Sequence, residues 1–153
     1  MSEVGVLCAI DVNDYDQDVI DLAAQFAKHF GCDLDLLHVT LMPDPTKAAW
    51  PAYVGAPNEL IQDHRLFKKI GTNIEGVIVR RRHLSGLPSQ KVIEFVENRK
   101  PKLLVLGTHA RTGLSRVFGS VATKIMRKVD CPVVLLRQKQ NSQSFDFETQ
   151  NSV

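Results

Sequence analysis

The 153-residue chain lacks the cysteine pattern of a disulfide-stapled or zinc-knuckle protein. Its three cysteines, Cys8, Cys32 and Cys131, are odd in number and show neither CxxC nor Cys/His spacing. They read as reduced thiols, the state expected in a cytoplasmic protein. The five histidines, at 29, 38, 64, 83 and 109, show no metal-ligand spacing along the chain either. Long apolar runs are missing: the N-terminal MSEVGVLCAID has no basic leader, and its apolar stretch is only about seven residues, too short for a signal peptide or a membrane span. Charge of one sign is scarce, with 19 Lys and Arg against 17 Asp and Glu, a net +2 and a pI near 8.5. Such a balance argues against nucleic acid, which calls for a clustered basic face. There is no GxxxxGK[ST] phosphate loop, no internal repeat, and no constellation of acid, base and nucleophile. An enzyme is therefore not expected. Neither is a phospho-acceptor receiver domain, since the acidic cluster and distal lysine are absent.

What is present is an alternation of buried strands and amphipathic helices, in a chain long enough to build one core without staples. Residues 4–10 form a near-continuous apolar run ending at Asp11, as in a strand covered on both faces. Asn13 or Asp14 can cap the next helix, whose apolar residues run from Val19 to Phe30 at helical spacing before Gly31 stops it. A second strand spans 34–40. From Leu41 to Asn58 four prolines (43, 45, 51 and 57) argue against a regular helix or strand. Trp50 and Tyr53 in this long loop either anchor it on the core or cover a ligand, and anchoring is the commoner case. Helical patterning returns over 59–71. A third strand covers 77–84 and carries Arg80, Arg81 and Arg82. Strand alternation divides those arginines between faces, so a solvated edge strand is favoured over a phosphate cluster. A third helix spans 89–98, after Pro88.

The segment from 103 to 137, LLVLGTHARTGLSRVFGSVATKIMRKVDCPVVLLR, reads as strand, glycine-punctuated basic loop, helix and strand. Residues 1–137 thus make one α/β domain, a single open parallel sheet with helices on both faces. Residues 138–153 are expected to be a loose polar tail.

Open parallel sheets bind ligands beyond the carboxyl ends of strands where strand order reverses. Two strands end in small or acidic residues, Ile10-Asp11 and Leu106-Gly107. If these are neighbours at the reversal, Asp11 can accept hydrogen bonds from a ribose or base. The N–H groups of Gly119, Ser120 and Val121 would then face phosphates at a helix start, with Arg111 or Arg116 neutralising charge. Each feature alone has a plainer reading as a helix cap or helix start; their expected juxtaposition favours the site.

On VLCAID near the N-terminus, LDLLHV at 34–39 and the block from Gly107 to Arg137, the chain resembles the universal stress protein (UspA-like) family over 4–137. The resemblance implies a five-stranded parallel sheet in the order 3-2-1-4-5 and a homodimer through the last strand, from Val133 to Arg137. That strand has neither proline nor an interior charge to protect its edge. It also implies an ATP-binding regulatory protein, with Mg as a possible companion ion. Ala9, Ile10, Asp11 and Val39 would contact adenine and ribose. Leu106, Gly107, His109, Ala110 and Arg111 would begin the phosphate loop, and Gly119, Ser120, Val121 and Ala122 would end it. The family's nucleotide-binding branch has glycine, two residues, glycine, nine residues, glycine and then serine or threonine. Here Ala110 stands at the second glycine, and only eight residues precede Gly119. A left-handed alanine costs roughly 1 kcal/mol, which weakens binding several-fold without abolishing it. The alternative is a dimeric interaction module of the same family that binds no nucleotide and acts through a protein partner.

Overall fold

Residues 4–12, 17–42, 56–109 and 120–138 are described by the computed structural model. Along them run β1 (Val6–Ala9), α1 (Gln17–Phe30), β2 (Leu34–Leu41), α2 (Ala56–Phe67), β3 (Val79–Gly86), α3 (Pro88–Arg99), β4 (Leu103–His109), α4 (Ser120–Lys128) and β5 (Val133–Gln138). All strands are parallel in one sheet of order β3-β2-β1-β4-β5, as the resemblance implied. The Asn13 and Asp14 caps, Trp50 and Tyr53, and the chain beyond 138 lie outside the described residues.

The central position of β1 explains its composition. It pairs with β2 on one side and β4 on the other, and helices cover both faces, so Val6, Leu7 and Cys8 are all fully buried. Side chains alternate between two cores. Val6, Cys8, Leu34, Leu36, Leu103 and Val105 meet Ile20, Ala23 and Ala27 of α1 and Phe67 of α2. Leu7, Leu37, Val39, Leu104 and Leu106 meet Val92 and Val96 of α3 and Ala122 and Ile125 of α4.

The helix ends follow their local chemistry. Gly31 takes φ +63° after α1, and the N–H of Cys32 donates to Ala27 O at 3.0 Å, closing the helix with a left-handed turn. Pro88 starts α3, where its missing N–H is no loss, and Lys100 ends it at φ 46° with its N–H on Val96 O.

Strand β3 is an edge, as expected, but its arginines are not simply solvated. Arg80 and Arg82 share a face with the fully buried Asp35 of β2: Arg82 Nε donates to Asp35 Oδ2 at 3.2 Å, and Arg80 Nη1 lies 3.8 Å from Asp35 Oδ1. Arg80 also pairs with Asp33 at 2.6 Å. Arg81 points to the other face, where Nε and Nη2 both donate to Ile70 O just beyond α2, a favourable place for a cation. The alternation was foreseen. The acidic partners were not, because parallel register is invisible in a linear chain.

Cys8 has a chemical signature that can be measured. Burial pushes its thiol pKa up to about 12, leaving almost no thiolate at neutral pH. In native protein, Cys8 should resist a thiol reagent that labels the half-buried Cys32, and should react at once in denaturant. Native labelling of Cys8 at the Cys32 rate would contradict the packing around β1.

Candidate functional site

The strand order reverses between β1 and β4, and the two strands are hydrogen-bonded neighbours with Ala9 opposite Leu106. The carboxyl ends carrying Ile10-Asp11 and Gly107 therefore emerge side by side, the condition on which the sequence argument rested. Ile10 continues the pairing, its N–H donating to Leu37 O at 2.9 Å. Asp11 beyond it is exposed. Val39 lies one strand over on β2, opposite Leu84.

Helix α4 connects parallel strands β4 and β5, so the chain leaves β4 at its carboxyl end and α4 starts on that same side of the sheet. Ser120 and Val121 are exposed in its first turn, while Ala122 is buried in the cluster that holds Leu106. A helix start of this kind leaves backbone N–H donors available to an anion. Ala9, Ile10, Asp11, Leu106, Gly107 and the Ser120-Val121-Ala122 turn are thus collected at one end of the sheet, with the backbone of His109 ending β4. Ala110, Arg111, Arg116 and Gly119 lie outside the described residues.

A second polar group sits at the neighbouring strand ends, on the α2 face. Residues 34, 36, 38 and 40 of β2 share that face; the first two are leucines in the core, and the next two are His38 and Thr40. His38 pairs in register with His83 of β3, and α2 lowers Asp63 onto them. His38 Nε2 is 2.8 Å from Asp63 Oδ2, and Thr40 Oγ1 donates to the same oxygen at 2.7 Å. His83 Nε2 lies 2.6 Å from Thr40 Oγ1. With Asp63 ionised, the chain of donors runs from His83 through the Thr40 hydroxyl to the carboxylate. His38 Nδ1 lies between two main-chain groups, 3.3 Å from the Val12 nitrogen and 3.1 Å from Ile10 O. As an acceptor it serves Val12 N–H; as a donor it serves Ile10 O. His64 stacks on His83 with ring centroids 6.0 Å apart.

Burial lowers the His83 pKa below its ordinary value; nearby His38 and His64 act in the same direction, and Asp63 opposes them. The sequence reading found no metal spacing among the histidines, and none exists linearly: residues 38, 63 and 83 come from three elements. The only hint was the triplet His38-Val39-Thr40 near the end of one strand and His83-Leu84-Ser85 near the end of another.

Comparison with known proteins agrees with this architecture. The model of the universal stress protein family matches residues 5–137. Universal stress protein MJ0531 of Methanocaldococcus jannaschii is 27% identical over 142 residues, covering 87% of this chain and 81% of its own. Among solved structures, a universal stress protein in complex with cAMP aligns with a TM-score of 0.58 at 19% identity, covering 90% of this chain and 100% of its own. The universal stress protein from Archaeoglobus fulgidus in complex with dAMP gives 0.54 at 21% identity, over 88% and 98%. With the family model spanning nearly the whole described sheet and the strand order reproduced, the chain belongs to the universal stress protein family.

Proposed function

We propose that this protein is a cytoplasmic adenine-nucleotide-binding regulator of the stress response, holding ATP at the reversal between β1 and β4. The observation that carries the reading is the juxtaposition of Asp11 with Gly107 and the α4 start. Main-chain atoms of Ala9, Ile10 and Val39 and the Asp11 carboxylate would meet adenine and ribose. The segment through Leu106, Gly107, His109, Ala110 and Arg111, and the turn Gly119-Ser120-Val121-Ala122, would meet the phosphates. These residues fit the group in kind: an exposed carboxylate for hydroxyls, and a helix start with an exposed serine for anions. Relatives of the same fold in complex with cAMP and dAMP support an adenine nucleotide. The protein acts as a binder whose occupancy is the signal, not as a catalyst. A copy of itself, paired through the β5 edge from Val133 to Arg137, completes the unit.

Titration of the full chain with ATP tests this directly. At a hundredfold excess over Kd, binding stabilises the native state by about 2.7 kcal/mol, raising the melting temperature by roughly 5–10 °C. No heat and no shift at millimolar ATP would replace the reading with the interaction module, in which Ala110 and the shortened loop have ended nucleotide binding.

A further inference from the structure

We propose that His38, Asp63 and His83 form a binding site for one divalent metal ion of the zinc class, beside the nucleotide site and separate from it. The three residues offer one ligand atom each, and those atoms all lie within 4.8 Å of one another. Bonds of about 2.0–2.1 Å place the donors of a four-coordinate ion about 3.4 Å apart. The 2.8 Å contact between His38 Nε2 and Asp63 Oδ2 therefore has to open slightly and the wider separations to close. Two imidazoles and a carboxylate suit Zn²⁺, Co²⁺ or Fe²⁺ better than the oxygen-seeking Mg²⁺ or Ca²⁺.

The surroundings favour an ion as well. His38 is 3% exposed and Asp63 6% exposed, so the site is built into the fold and not scattered on its surface. A carboxylate at that depth gains from an opposite full charge. His38 Nδ1 lies 3.1 Å from Ile10 O. A metal-bound histidine commonly donates its second ring N–H to a backbone carbonyl, which holds the ring in place. Phe67 packs against the His38 and His83 rings, restricting their motion. The half-buried position of His83 on edge strand β3 gives the ion a way in.

Thr40 supplies the device that closes the site without metal. Its hydroxyl is within hydrogen-bonding distance of all three ligand atoms, at 2.6, 2.7 and 3.5 Å, and so stands where the ion would go. Rotation about the Thr40 side-chain bond frees that space and leaves the fourth position to the hydroxyl or a water. Loading the site also commits His38 to the tautomer with Nδ1–H. Its main-chain partner then becomes Ile10 O in place of Val12 N–H, on either side of Asp11.

The test uses the full chain, stripped with a chelator and free of nucleotide. Co²⁺ is titrated while its visible d–d absorption is followed, and Zn²⁺ then competes. One equivalent should bind with the absorption of a low-coordinate nitrogen and oxygen site, and Zn²⁺ should displace it and raise the melting temperature. His83→Gln and Asp63→Asn should each weaken binding by more than about tenfold, while His64→Gln, outside the ligand set, should not. Paramagnetic shifts of the His38 and His83 ring protons in the unaltered chain give a readout that does not depend on the variants folding. The proposal is overturned if neither ion binds saturably below about 100 µM. Binding that leaves those ring protons unperturbed, or that both ligand variants retain in full, overturns it equally.

Discussion

Replacing Asp35 with alanine is expected to lower the unfolding free energy by about 3 kcal/mol, the lower end of what breaking a buried ion pair costs. Asp35 is 0% exposed on β2, on the face it shares with Leu37 and Val39. Its partners are the half-buried Arg80 and Arg82, which reach it from the edge strand. Without the carboxylate, the two guanidinium groups are left against an apolar wall beside a small cavity. Water can reach both arginines in part, which is why the lower end applies. The bridge itself is imperfect: Asp35 Oδ1 and Arg80 Nη1 are buried without a hydrogen-bond partner, 3.8 Å from each other. Substituting the group as a whole, with Asp35→Leu, Arg80→Met and Arg82→Met, should therefore recover most of the lost stability. Urea denaturation of the two variants measures both effects. An alanine variant within 1 kcal/mol of the unaltered chain, on the order of a surface substitution, would show that the ion pair is not structural.

Asp11→Ala is expected to remove most of the ATP-induced rise in melting temperature. A charge-assisted hydrogen bond contributes about 1.5–3 kcal/mol, so its loss weakens binding by roughly 10- to 150-fold. Asp11 is exposed at the strand end, where a ligand can reach it. Gly119→Val should act at the opposite end of the ligand, by placing a branched side chain where phosphate must approach the backbone. Calorimetry with ATP on both variants checks the assignment. An Asp11→Ala protein with undiminished affinity would move the ribose contact elsewhere.

The architecture was legible because its signals are local and repeated. Apolar runs at 4–10 and 103–106 can be buried only in strands covered on both faces, and the spacing from Val19 to Phe30 fits only a helix. Gly31 and Pro88 mark their helix ends through backbone chemistry that needs no tertiary contact. The candidate nucleotide site was half legible. Asp11 and Gly107 stand out as strand-end residues, but only the β1–β4 pairing makes them neighbours. The arginines of β3 show the limit most clearly. Alternation separates Arg81 from Arg80 and Arg82, yet nothing in the run of residues reveals that β2 sets Asp35 against two of them.

Periodicity, turn chemistry and the glycine-marked loop thus determined, from the sequence by itself, an open parallel sheet of alternating strands and helices with a candidate ligand end. Each is encoded within a few residues and survives without long-range information. The grouping of His38, Thr40, Asp63 and His83 was decided only by the tertiary structure. It depends on the register of two parallel strands, whose connection is a long crossover, and on where α2 settles across them. A hairpin turn ties strand register to sequence spacing; a crossover does not, so side chains 20 or more residues apart meet only after the sheet has formed.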